Sequence, residues 1–336
     1  MRYLFKISML MLVLFIAVSA ALWNEYQRFI TAPMAITEEP YTYTVVSGSN
    51  LKKISQHIEQ EGLSEFPSLY LQLYGRILNK AHLIKTGEYK IVAGTTLPQL
   101  LNQFIAGQVI QYQFTIIEGM TAQQLINSIA EDKRLIHSLE ETALVEVMES
   151  LNLSQQHGEG EFSPETYNFT AGTTDVALLQ RAHDLMSETL AQEWNDRAEN
   201  LPYKSAYEAL IMASIIEKET GIAEERSEIA GVFIRRLNKG MRLQTDPTVI
   251  YGMGESYKGN IRRKDLRTDT PYNTYTRSGL PPTPIALPSK AAIHAALHPK
   301  AGKSLYFVAT GHEGRHVFSN TLTAHNKAVR KYQLKK

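Results

Sequence analysis

The residues best suited to do chemistry stand in one run, Ile211-Met212-Ala213-Ser214-Ile215-Ile216-Glu217-Lys218-Glu219-Thr220-Gly221. An apolar helix over Tyr207–Lys218 arrives here at two acids, followed by a glycine suited to ending it. Glu217 and Glu219 are two apart, so on a helix they diverge by about 200° and cannot face each other as a carboxylate pair. Each must be weighed alone. Three, four and seven residues before Glu219 stand Ile216, Ile215 and Met212, which puts it on an apolar face. The same offsets from Glu217 give Ser214, Ala213 and Leu210, a smaller and more mixed surface. Glu219 would also lie at the negative end of the helix dipole. Desolvation and dipole both disfavour its carboxylate, raising the pKa from about 4.3 toward the ~6–7 useful to a general acid. The competing reading is structural: Glu219 pairs with a basic neighbour, Arg235 or Arg236, and only fixes the fold.

Other chemistries are bounded by what is missing. The absence of cysteine removes disulfides, thiolate nucleophiles and cysteine-bearing zinc sites together. His294 and His298 are four apart in a helical region, and His312 and His316 are four apart in a Gly-rich turn. Neither pair belongs to a His-Glu-x-x-His arrangement, and spacing supplies no third ligand, so no metal is expected. Gly158 and Gly160 lack the rest of any phosphate motif, and no dinucleotide loop is present, so no cofactor is expected either. A net charge of +1 without a basic stripe offers nucleic acid no footprint.

The elements that must hold Glu219 read as α+β. Helices are expected at Ser68–Leu78, Ala143–Leu151, Val176–Trp194, Glu225–Lys239 and Ser289–Ala296, and strands near Ser304–Ala309 and His316–Phe318. Regular βαβ alternation is missing, which argues against a doubly wound sheet. A strand–turn–helix unit recurs instead. Val45 through Gly48 precedes Leu51, Ile54 and Ile58; Ile91 through Gly94 precedes Leu97 to Phe104; Ile116 through Gly119 precedes Leu125 to Ile129. A looser copy runs from Tyr167 through Gly172 to Leu179. The stretch Thr268–Pro288 holds five prolines interleaved with Tyr272, Asn273, Tyr275 and Arg277, and reads as a binding loop.

The N-terminus places all of this in a compartment. Arg2 and Lys6 flank Ile7–Trp23, an apolar run of 17 residues broken only by Ser8 and Ser19. That length is at the lower edge of what spans a bilayer as a helix. The basic flank predicts a cytoplasmic tail over residues 1–6 and export of everything after Trp23, with Trp23 and Tyr26 at the interface. A cleaved signal peptide is the alternative, since Val18-Ser19-Ala20 resembles a cleavage site. The polar residues 24–44 read as a stalk.

Ala213 through Thr220 is similar to the signature of the MltG (YceG-like) endolytic murein transglycosylase family. So are Arg242 through Gly252, Pro271-Tyr272-Asn273-Thr274-Tyr275, Gly279-Leu280-Pro281-Pro282, Phe318-Ser319-Asn320 and His325-Asn326. The resemblance runs along nearly the whole chain. One departure is Glu165 of Pro164-Glu165-Thr166-Tyr167, where the family pattern has Asp.

The resemblance implies an anchor over 7–23, a small LysM-like module over 45–110 and a catalytic domain over 111–336. It implies a bitopic inner-membrane, periplasm-facing lyase. The lyase would cut the β-1,4 bond between N-acetylmuramic acid and N-acetylglucosamine in nascent glycan strands, leaving a 1,6-anhydro end and limiting strand length. Peptidoglycan synthases would be its partners. Glu219 matches the catalytic acid. Gln244, Asn273 and Thr274 would bond N-acetyl or hydroxyl groups, and Tyr251, Tyr272 and Tyr275 would stack on sugars or orient Glu219. Asp246 would steady positive charge on the sugar, and Glu217 is a further supporting candidate. For each of these supporting residues, ordinary turn or core packing is an equal alternative. A non-enzymatic glycan-binding scaffold for synthases is the rival function.

Overall fold

The structure, a computed structural model, describes residues 2–37, 39–154 and 157–334. It divides into two compact units, Met1–Tyr112 with Asn168–Gly172, and Gln113–Tyr167 with Thr173–Lys336. The fold is a mixture of helices with short strands, as the sequence predicts.

In the first unit α1 (Arg2–Thr31) is one unbroken helix. From Tyr3 it is long and apolar enough to cross a membrane, and its most apolar stretch is buried against nothing in the described chain. Residues 24–31, within the stretch read as a stalk, continue this helix. Phe29 is 3% exposed, with its ring 5.6–5.8 Å from those of Phe66, Tyr70 and Tyr74. Met34 is also buried, and its N–H donates to the Thr95 carbonyl.

Beyond it, β1 (Tyr41–Val45) is followed by α2 (Leu51–Gln60) and α3 (Ser68–Ile77), then by β2 (Gly87–Ile91) and α4 (Leu97–Ala106). The two strands pair antiparallel, from Tyr41 opposite Ile91 to Val45 opposite Gly87. Tyr43, Val45, Tyr89 and Ile91 bury one face of this ribbon against the apolar sides of α2 and α4, the period-two pattern of a half-buried strand.

The strand–turn–helix unit is real. It comprises β1–α2, β2–α4, β3 (Tyr112–Thr115) with α5 (Ala122–Ala130), and β4 (Thr166–Phe169) with α7 (Asp175–Asn195), while α6 (Leu144–Ser150) lies between the last two copies. Gly48, Gly94, Gly119 and Gly172 turn each strand into its helix at φ between 75° and 91°, where a side chain would be strained. Asn50, Thr96, Thr121 and Thr174 then cap the helices, each accepting a backbone N–H from three residues on. Copies pair two by two: β1 with β2, β3 with β4.

The second unit is built around α8 (Ala206–Glu219), packed by α7, α9 (Ala223–Asn238), α10 (Asp246–Met253) and α11 (Lys290–Leu297). A hairpin of β5 (Tyr306–Ala309) and β6 (His316–Ser319) carries α12 (Leu322–Tyr332) against it. Every residue from Ala209 to Ile216 is buried, so α8 is interior on all faces. The expected contrast between an apolar face for Glu219 and a mixed one for Glu217 therefore disappears. Gly221 does not end the helix in a left-handed turn. Thr220 breaks it by turning extended (φ −149°, ψ 134°), and its hydroxyl accepts the Ile222 N–H as the chain enters α9.

The proline-rich stretch is also partly interior. Thr283–Ser289 is buried: the Ile285 N–H donates to Ser214 Oγ, and Leu287 exchanges backbone bonds with Gly119 and Met120. Gly160 has no room for a side chain, because a Cβ there would lie 2.5 Å from Pro284. The Gly158–Gly160 segment is thus a packing feature.

Candidate active site

Glu219 is the last residue of α8, and its carboxyl opens into a hollow of about 480 Å³. One wall is the turn that starts α10. The Thr245 hydroxyl donates to Glu219 Oε1. Thr245 is itself fixed: its N–H donates to Thr274 Oγ1 (3.1 Å), and its carbonyl accepts from Thr248 Oγ1 (2.8 Å). Gln244, just before it, is held in the left-handed region at φ 50°, a conformation that costs a non-glycine residue of order 1–3 kcal/mol and clusters at functional sites. Asp246 follows, and its Oδ1 accepts the Tyr275 hydroxyl at 2.6 Å. Gln244 and Asp246 are exposed at the mouth, and both line the hollow together with Tyr275.

The opposite wall comes from the hairpin and α12, through Tyr306, His316 and His325. The Glu225 carboxylate takes both the backbone N–H (3.0 Å) and Nδ1–H (2.8 Å) of His316, which fixes the orientation of the ring. His325 stacks on Tyr306 at 5.2 Å, with its buried Nδ1 unpartnered. Burial first, and the Arg236 charge second, push its pKa down, so it is neutral near pH 7. Arg236 gives Nε–H to the Leu305 carbonyl and Nη1–H to that of Leu243. Arg235 is bound to the carbonyls of Ser304 and Lys300. Among the described residues neither guanidinium pairs with Glu219, so the structural reading of that acid lacks its partner.

The electrostatics follow. Burial pushes the Glu219 carboxyl up to about 7, aided by the Asp246 charge and opposed by the Thr245 hydrogen bond, His316 and Arg236. The same burial, with the Asp246 hydrogen bond, raises the Tyr275 phenol, so that it stays a donor. Such a pocket holds a proton near neutrality and has one carboxyl oxygen free to offer it. Among the described residues no hydrogen bond but that of Thr245 reaches this carboxyl.

The remaining sequence candidates lie elsewhere. Glu217 Oε2 accepts the Ser289 N–H and hydroxyl and so fastens the N-terminus of α11, while Oε1 lies 3.5 Å from Arg226. Asn273 is 1% exposed. Its Nδ2 reaches the carbonyls of Asp265, Leu266 and Thr268, and its Oδ1 accepts the Tyr275 N–H, so its amide is consumed by backbone. Thr274 is buried beside Thr245 and Thr248. Tyr251 donates to Glu159 (3.0 Å), and the Tyr272 hydroxyl bonds with that of Thr283. Glu165 bonds the N–H of its neighbour Thr166. Sequence reasoning gives no role to Thr245 or Tyr306, takes Arg236 only as a structural partner for Glu219, and weighs His316 only as half of a histidine pair. The strands expected near Ser304–Ala309 and His316–Phe318, and the motifs Phe318-Ser319-Asn320 and His325-Asn326, are the signals in the sequence for this wall.

Comparison with known proteins is consistent along the chain. A profile of the YceG-like family matches residues 43–331. An endolytic murein transglycosylase of Bacillus subtilis (strain 168) is 31% identical over 305 residues, spanning 86% of this chain and 83% of that relative. An endolytic murein transglycosylase of Streptococcus pneumoniae serotype 2 (strain D39) is 28% identical over 354 residues. That match covers 95% of this chain and 63% of the relative, less than two thirds of its length. Among solved structures, the 2.6 Å crystal structure of a yceG-like protein from Listeria monocytogenes is similar, with TM-score 0.55 and 29% identity, over 87% of this chain and 99% of that one.

Proposed function

The chain belongs to the YceG-like family, and from that membership we propose that it is a peptidoglycan lytic transglycosylase that cuts glycan strands internally. The observation that carries the proposal is the Glu219 carboxyl, raised to about 7 and held by Thr245 in an open hollow. In the proposed reaction Glu219 gives its proton to the oxygen between N-acetylmuramic acid and N-acetylglucosamine as the C1–O bond breaks. The resulting carboxylate takes the proton of the muramoyl C6 hydroxyl, whose oxygen closes on C1. One bond forms and one breaks, no water enters, and Glu219 ends protonated. Ordinary glycosidases need a second carboxylate to activate water or attack the sugar. A hydroxyl on the same sugar already sits beside the reacting carbon, so a single acid/base suffices. Asp246, at the mouth and bound by Tyr275, is suited to steady positive charge on the ring.

The setting is part of the proposal. We take α1 as a retained single-pass anchor with Arg2 and Lys6 on the cytoplasmic side, which holds the site close to the membrane where strands emerge. Residues 45–110, extended to Tyr41 so as to include all of β1, are read as a LysM-like glycan-binding module, a reading that the strand–helix–helix–strand order β1–α2–α3–β2 supports. Peptidoglycan synthases are the proposed partners.

The test is to incubate the detergent-solubilised chain with uncrosslinked glycan strands and weigh the products. Anhydromuramoyl ends, lost in Glu219→Gln with the fold intact, support the lyase. Reducing ends one water heavier mean a hydrolase, and unaltered strands mean a binding scaffold.

A further inference from the structure

His294 and His298, notable in the sequence only for their spacing, meet a third donor from a segment about 100 residues away. We propose that Glu193, His294 and His298 form a binding site for a divalent transition-metal ion of Zn²⁺ type, tying α7 to α11. His294 is in α11 and His298 is its C-cap; their rings stack at 4.2 Å and 20°, so both project to the same side. Glu193, in the last turn of α7, sets its Oε2 2.8 Å from His294 Nδ1. One donor atom from each of the three residues lies within 4.8 Å of the others. Tetrahedral coordination at ~2.0–2.1 Å separates ligands by roughly 3.3 Å, so side-chain rotation alone closes the set, and water completes it.

The state of His298 points the same way. Its Nε2 is 2.8 Å from the Asp196 carbonyl oxygen, an acceptor, which places an N–H on that nitrogen. Metal-binding imidazoles are ordinarily held so, with one N–H given to a backbone carbonyl and the other nitrogen given to the ion. Nδ1 lies 3.2 Å from the His294 carbonyl oxygen, so the ring must turn from that contact to bind an ion. Two imidazoles and one carboxylate suit Zn²⁺ and its neighbours in the first transition row and disfavour Mg²⁺ or Ca²⁺. The three donors line a surface hollow of their own, separate from that of Glu219, and two cationic groups share it. Arg226 is turned toward Glu217 (3.5 Å), while Lys290 Nζ lies 3.9 Å from Glu193 Oε1 and competes for that carboxylate. Lys290 is 67% exposed and can swing into water.

The test is calorimetric titration of the full chain in detergent, stripped with chelator, against Zn²⁺ and separately against Mg²⁺. The expected result is one saturable Zn²⁺ site, weakened at least about tenfold by His294→Gln and by His298→Asn. Lys290→Ala should tighten it. Zn²⁺ should raise the melting temperature of the wild type and leave that of both histidine variants unchanged. Their melting in chelator reports whether they fold. Absence of saturable heat, equal binding of Mg²⁺, or unchanged Zn²⁺ affinity in folded histidine variants would overturn the proposal.

Discussion

Thr245 donates its hydroxyl to Oε1 of Glu219, joining the start of α10 to the end of α8. This bond favours the ionised carboxyl and so holds its pKa below what burial alone would give. In the proposed reaction the protonated form begins the cut, so activity falls as pH rises through about 7. Thr245→Val removes the donor, and the alkaline limb of the pH–rate profile should move upward by about one unit. Thr245→Ser keeps the donor and should leave the limb where it is.

Glu219 should also be a cost to the fold. Its folded pKa is raised, so between the unfolded value near 4.3 and the folded value near 7 the native state binds the extra proton, and stability declines as pH rises across that window. Glu219→Gln removes the titration. At about pH 8 the variant should be more stable than wild type by up to ~3 kcal/mol, and the gain should vanish near pH 4. Urea denaturation at the two pH values measures it.

The two amides named from the motifs should separate. Asn273→Ala removes a buried amide that bonds three backbone carbonyls and the Tyr275 N–H, and should destabilise by about 1–3 kcal/mol. Gln244→Ala, at the mouth of the hollow, should leave stability within about 0.5 kcal/mol while lowering strand cleavage. Melting and activity measured on the same preparations test both.

Local features were legible in the sequence and long-range ones were not. The strand–turn–helix copies could be read because a turn glycine and a cap three residues before its partner are neighbours in the chain. Glu219 could be read for its place at a helix end. The helix-face argument failed because α8 is enclosed on every side, so burial does not separate Glu219 from Glu217; what separates them is that Ser289 and Arg226 take one, and Thr245 takes the other. The wall of Tyr306, His316 and His325 comes from β5, β6 and α12, far along the chain from α8, and Glu193 meets His294 across 101 residues. No window of sequence spans such pairs.

The first unit should depend on the end of α1. Phe29 is enclosed by Phe66, Tyr70 and Tyr74, so Phe29→Ala should cost about 3–5 kcal/mol. A soluble form beginning at Asn24 should melt higher than one beginning at Ile30. Equal melting temperatures would mean that the helix end adds nothing.

The central claim is that the Glu219 side chain carries a proton near neutrality. Carbon-13 NMR of side-chain-labelled glutamates, comparing wild type with Glu219→Gln across a pH titration, reads this directly. The account predicts one carboxyl resonance, absent in the variant, that titrates with a midpoint near 7. A midpoint near the ordinary value of about 4.3 would contradict it.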